Sequence, residues 1–213
     1  MIMKNFKLSS LFIYITLTIS SFSFGQNEEA AIENLDSIKI KRINIGFKIG
    51  IPNVVGGSAE VTLPILDNRI SPYFDYSGFN LEADDVETNF SYSEFGANIY
   101  FNRKGNGFFV SVGRGQFNTE LTFNDLDFDG VTGSASTDFD FGTTNIKLGL
   151  KSGGSFYFRF EVGYGIGNIP DTVNFEAISS AGIPKEFEED IPPIPGLSSG
   201  GTIIGSIGFG IAF

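Results

Sequence analysis

The last eleven residues alternate without a break. Ile203, Gly205, Ile207, Phe209, Ile211 and Phe213 share one parity, and Ile204, Ser206, Gly208, Gly210 and Ala212 share the other. Successive side chains of a strand point to opposite faces, so this run has one large apolar face and one mostly small face. A helix would scatter both sets around its axis. The segment is therefore predicted to be a strand between two different environments.

Seven further stretches obey the same rule, near 42–51, 57–66, 70–78, 90–101, 107–118, 142–151 and 156–167. In the first, Ile43, Ile45, Phe47, Ile49 and Ile51 oppose Asn44, Gly46, Lys48 and Gly50. In the seventh, Phe156, Phe158, Phe160, Val162, Tyr164 and Ile166 oppose Tyr157, Arg159, Glu161 and three glycines. Arg114 departs from the pattern, because strict alternation puts it on the apolar face. Either it reaches along the surface to a polar interface, or a bulge resets the parity.

The connections sort by length. Residues 66–69, 102–106 and 151–154 make tight turns, while 52–56, 79–89, 118–141 and 168–201 lie between them and are mostly longer. Short links thus fall at one end of the strand set and long links at the other. Strands of ~9–11 residues, tilted, cross a hydrocarbon layer, where every backbone polar group needs a partner and only a closed sheet supplies it with strands. The expected fold is all-β, an eight-stranded antiparallel up-and-down transmembrane β-barrel over residues 42–213. The alternative is a soluble exported barrel or sandwich acting as a ligand carrier. In that case the second face would meet water and carry many charges, whereas here it is Gly, Ser, Ala, Asn and a few ions.

The N-terminus reads as a signal peptide over residues 1–25. Lys4 and Lys7 precede a short apolar core, Leu11 to Ile19, and Ser23 and Gly25 are small residues at a cleavage position. That core is about half the ~20 residues of a spanning helix. Residues 26–41 would form a short N-terminal segment on the periplasmic side. Removing residues 1–25 takes away two lysines and no acid, so the formal charge of −11 becomes −13, which disfavours a nucleic-acid partner. There is no Cys and no His, which excludes disulfides, thiol chemistry and Ser–His hydrolysis, and leaves zinc without its usual ligands. No cofactor is implied, and no enzyme activity is expected. Twenty-four Phe, 27 Gly and no Trp suit a lipid-facing surface around a narrow interior.

These features together resemble the outer-membrane β-barrel family of the OmpA/OmpX type, over about Arg42 to Phe213. The resemblance implies insertion in outer-membrane lipid and a chain ending at the barrel without a peptidoglycan-binding domain. It also implies that the terminal Phe209, Ile211 and Phe213 act as the signal read by the barrel assembly machinery.

The charges on the small face are Lys48, Glu60, Asp75, Glu94, Lys147, Arg159 and Glu161. Counted from the tight turns, they are predicted to lie in one middle layer. Lys48 would sit level with Glu60, and Lys147 level with Arg159. Buried ions need partners to offset desolvation. The layer is either a salt-bridged plug or the lining of a small pore. In the third long connection, Asp125, Asp127 and Asp129 before Gly130 have the spacing that opens a calcium loop, but the twelfth position is Ser136. The alternative is a hairpin continuing strands five and six, with Asp138 and Asp140 on the return. The fourth connection holds Glu186, Glu188, Glu189 and Asp190 ahead of three prolines and reads as a solvated acidic loop.

Overall fold

A computed structural model of the protein describes residues 40–213 apart from 84–85, 129–130, 180–183 and 191–195. The predicted signal peptide, residues 26–39 and Asp129 lie outside the described residues. The described strands in chain order are β1 Ile43–Ile51, β2 Val54–Val61, β3 Ile70–Ala83, β4 Val86–Tyr100, β5 Gly107–Phe128, β6 Val131–Lys151, β7 Phe156–Gly167, β8 Thr172–Ser179, β9 Pro184–Asp190, β10 Leu197–Ser198 and β11 Gly201–Ala212.

Eight of them close on themselves. Each of β1 to β6 pairs antiparallel with the next, β7 pairs with β11, and β11 pairs with β1. Closure continues to the last residue, since Phe213 N–H donates to Ile43 C=O at 2.8 Å and Arg42 N–H to Phe213 C=O at 2.7 Å. The result is a closed, eight-stranded antiparallel barrel. Among the described residues no helix is long and apolar enough to cross a membrane.

The register gives the barrel its slant. Ile45 faces Ala59, and the row continues through Phe74, Phe95, Arg114, Thr144 and Ile166 to Gly201. The β1/β11 register, with Asn44 opposite Ala212 and Ile51 opposite Gly205, would bring Gly201 back beside position 55, ten residues from the start. With ~3.3 Å per residue and ~4.8 Å between strands, that stagger tilts the strands by about 40°.

Alternation sorts the faces throughout. The apolar parity points outward, as at Phe47, Phe95, Leu148, Phe158 and Ile207, all exposed. The other parity points inward and is buried, as at Asn44, Asn98, Ser111, Asn145 and Ser206. On β7 the outward residues from Phe156 to Ile166 cover ten steps. At ~3.3 Å per step and a tilt of about 40°, they rise about 25 Å, the height of a lipid-facing band.

The strand limits differ from the sequence reading in two ways. β2 runs from Val54 to Val61, so the first long connection shrinks to Pro52 and Asn53. Leu63 and Ile65 fall outside β2, where the chain breaks into a 3-10 turn at 66–68 with Leu66, Asp67 and Asn68 all at positive φ. The second difference lies at the opposite end, where three of the expected loops carry strands. β3 and β4 stay paired out to Ala83 and Val86, and β5 and β6 out to Phe128 and Val131. β8 and β9 form a hairpin that adds to β6, with Ala135 opposite Ala177. Backbone pairing continues because antiparallel partners already in register cost little to extend, and the outer residues include Thr, Val and Phe that favour strands. Asp125 and Asp127 are on β5 beside a register shift between Phe123 and Leu126. Their side chains lie outside the described residues. Asp138 and Asp140 are on the return strand, as the hairpin alternative required.

Candidate functional site

The site is the barrel interior. Inward parity brings together side chains from all eight barrel strands, and the narrow bore forces them into contact. All seven predicted charges are buried there, together with an eighth, Lys151. They occupy two tiers rather than one layer.

The tier nearer the tight turns centres on Glu60 of β2. Its Oε1 accepts from Lys151 Nζ at 2.5 Å, and Arg159 Nη2 donates to Oε2. Asn98 Nδ2 donates at 2.6 Å, Asn44 Nδ2 at 3.2 Å and the Tyr100 hydroxyl at 3.0 Å. One carboxylate is thereby held from β1, β4, β6 and β7 at once. The cations also rest on rings, with Lys151 Nζ 5.1 Å from the Tyr100 centroid and Arg159 Cζ 5.3 Å from that of Phe109.

The second tier lies toward the long hairpins. Lys48 Nζ bridges Asp75 Oδ2, at 2.7 Å, and Glu161. Lys147 Nζ bridges Glu94 Oε1 at 2.8 Å and Glu161 Oε2 at 3.6 Å. Glu94 also accepts from Tyr73 and, at 2.7 Å, from Tyr92. Arg159 Nη1 stands 3.8 Å from Glu161 Oε1 and links the tiers. Each of these ions has partners, which offsets the cost of taking it from water.

The predicted heights need correcting. Lys48 lies opposite Gly56, while Glu60 lies opposite Asn44, four residues away. Lys147 lies opposite Gly163, and Lys151 is the residue opposite Arg159. The registers are centred on the hairpin turns: β1 and β2 pair about position 52, with Lys48 four residues before it and Glu60 eight after, and β6 and β7 pair about position 155, with Lys147 eight residues before it and Arg159 four after. Lys151 stands where the sixth alternating stretch, 142–151, meets the tight turn 151–154. Its parity with Asn145, Lys147 and Gly149 was the signal that it belonged to the lumen.

Above the ions is an aromatic closure. Tyr92, Phe117 and Phe141 are buried together with Ile169, and Phe90, Phe139 and Leu197 pack around them. Phe117 stacks on Phe141 with centroids 4.3 Å apart. Ile169 comes from the segment after β7 and is anchored where its N–H donates to Ser199 C=O at 3.0 Å.

Glycine makes room for the large inward groups. A Cβ at Gly149 would run into the Phe109 ring, at 2.6 Å from Cε1, and one at Gly115 would meet Tyr92 Oη and Asn145 Nδ2 at 2.8 Å. Phe209 and Ile211 are on β11 facing outward, and Phe213 follows them at the barrel seam.

Beyond the barrel the paired hairpins carry acids. Glu82 is directly opposite Glu87, Glu120 opposite Asp138, and Glu176 opposite Glu186. All six are exposed. At the tight-turn end the described exposed ions include Lys41, Arg103 and Lys104. A cleft of about 1060 Å³ lies among the hairpins, lined by residues including Phe79, Phe90, Glu120, Asp138 and Asn174.

Fold and site define a closed β-barrel with an ion-paired, side-chain-filled interior and an apolar exterior. No family model matches the chain, and no curated protein matches it. Among solved structures it is similar to Acinetobacter baumannii CarO, at 11% identity, covering 82% of this chain and all of that one with a TM-score of 0.47. It is also similar to Acinetobacter baumannii CarO2, at 10% identity, covering 83% of this chain and all of that one with a TM-score of 0.39.

Proposed function

We propose that the protein is an integral outer-membrane barrel with a plugged lumen, whose role is to present an acidic β-sheet platform outside the cell. The observation that carries this is the pairing of the interior. Four buried acids (Glu60, Asp75, Glu94 and Glu161) meet four buried cations (Lys48, Lys147, Lys151 and Arg159), beneath packed aromatics. A neutral, cross-linked interior offers a permeating ion neither a path nor a charge preference, so a structural or surface-interaction role is favoured over a small-solute channel.

Membrane insertion follows from the exterior. Outward positions of β1, β7 and β11 hold Ile, Phe, Val and Tyr without an ion, and many are half-exposed. A surface of that extent in water would drive association. A soluble ligand carrier would need the reverse arrangement, with apolar side chains inside. The reading includes export through the signal peptide, delivery by the barrel assembly machinery through Phe209, Ile211 and Phe213, and no enzymatic activity, cofactor or nucleic-acid partner.

Planar-bilayer recording of the refolded chain tests the plug. The expected result is no steady conductance at neutral pH, and stable open channels would overturn it. Gel mobility in SDS tests the barrel, which should migrate differently before and after boiling.

A further inference from the structure

Arg114 is a cation in an apolar belt, and its surroundings are specific. It faces outward on β5 between Phe95 of β4 and Thr144 of β6. No bulge accounts for it, since the register is regular from Gly107 to Phe123 and shifts only beyond. The side chain instead runs along the surface toward the hairpin end. A Cβ at Gly142, two residues farther up β6, would meet the guanidinium with Cζ at 3.0 Å, and Gln116 Oε1 at 3.1 Å. Gly142 therefore provides a bare track on which the guanidinium lies.

That track marks a chemical boundary. Below it the outward residues of β5 and β6 are Phe108, Val110, Val112, Ile146, Leu148 and Leu150. Above it they are Asn118, Glu120, Asp138 and Asp140. Arg114 is seven residues above the start of β5, which at ~3.3 Å per residue and a tilt of about 40° is roughly 18 Å. The guanidinium, level with Gly142 two residues farther up, is at roughly 23 Å, close to the top of the ~25 Å apolar band, where headgroups begin.

The guanidinium is also largely unengaged. Among the described residues its one hydrogen bond is Nη1 to Thr144 Oγ1 at 3.5 Å, and no carboxylate stands within 4 Å of it. Even Asp140, on the adjoining strand, is not its partner. A planar donor fork at headgroup height, with the Thr144 hydroxyl beside it, matches a phosphate.

We infer that Arg114, on the Gly142 track with Gln116 and Thr144 beside it, binds the phosphate of an anionic lipid headgroup in the outer leaflet. This rests on the membrane reading above. The site holds one lipid at a fixed place on the β5–β6 wall, immediately below the acidic hairpins.

The test is native mass spectrometry of the folded full chain in detergent, with phosphatidylglycerol added against an equal amount of diacylglycerol. Wild type is expected to retain one phosphatidylglycerol in preference to the neutral lipid. Losing a charge-assisted contact should weaken retention roughly tenfold in Arg114→Gln. Arg114→Lys should fall between the two, because it keeps the charge and loses the fork. Gly142→Val should weaken retention with Arg114 intact, by filling the track. Equal retention by wild type and Arg114→Gln would overturn the inference, and so would full competition by millimolar inorganic phosphate. Heat-modifiable gel mobility is measured on the same samples. Wild type migrating identically before and after boiling would instead remove the barrel reading itself.

Discussion

Lys151 Nζ lies 2.5 Å from Glu60 Oε1, across the lumen from β6 to β2. The two residues are 91 positions apart in sequence. Arg159 and Tyr100 converge on the same carboxylate, so Glu60 is the hub of the tier nearer the tight turns.

That convergence makes Glu60 the least replaceable lumen acid. Glu60→Gln removes the charge that compensates both Lys151 and Arg159. Unpairing buried ions typically costs ~3–5 kcal/mol. A urea titration in detergent, followed by gel mobility, should show a large drop in folded stability. An unchanged midpoint would mean that water or counter-ions already screen the tier.

Glu161→Gln should cost less than Glu60→Gln. Lys48 retains Asp75 at 2.7 Å and Lys147 retains Glu94 at 2.8 Å, so each lysine keeps one carboxylate partner. The same titration ranks the two variants. The reverse order would show that the three-way contact at Glu161 dominates the second tier.

Glycine positions should split sharply. Gly149→Ala places a methyl against the Phe109 ring and should destabilise by ~1–3 kcal/mol through overpacking. Gly57→Ala meets nothing within 4 Å on the exposed face and should stay within ~0.5 kcal/mol. Thermal shifts of the two purified variants compare them directly. Similar shifts would contradict the packing account.

Phe160 faces outward near mid-height of β7 and is exposed. If lipid covers it, Phe160→Arg should cost ~2–4 kcal/mol of folding free energy in vesicles. The same change in a water-facing barrel would be neutral or would improve solubility, so the sign of the effect separates the two environments.

The acidic hairpins predict a salt effect. Like charges directly opposite on a sheet are destabilising, by about the ~0.2–1 kcal/mol such pairs carry. Glu120→Gln should relieve its opposition to Asp138. Limited proteolysis of intact cells or vesicles should then cut the β5–β6 hairpin more slowly, most visibly at low ionic strength. Faster cutting would show that the hydrogen bond from Asn89 Nδ2 to the Glu120 carboxylate, at 3.2 Å, outweighs the repulsion.

Alternation alone settled much of this protein. Period two does not depend on the partner strand, so Phe47, Phe158 and Ile207 could be placed outside, and Lys48, Glu94 and Arg159 inside, from local spacing. The count of barrel strands was legible for the same reason. β7 was legible to its ends because Gly153 and Gly154 precede it and Asn168 and Pro170 follow it.

What only the tertiary structure decided is relative height and company. Hairpin registers centred on positions 52 and 155 separate Lys48 from Glu60 and bring Lys151 opposite Arg159, and a ten-residue stagger summed over eight tilted strands sets which groups meet across the lumen. Stagger is a property of closure, and no single strand encodes it. The β8–β9 hairpin and the long extensions of β3 to β6 also escaped the sequence reading, because strands paired above a barrel need no apolar face to reveal them. Arg114 shows both sides of the division. Its parity was local and correctly marked it as outward. The direction of its side chain depended on Gly142, a residue 28 positions away in sequence that the β5–β6 register placed beside it.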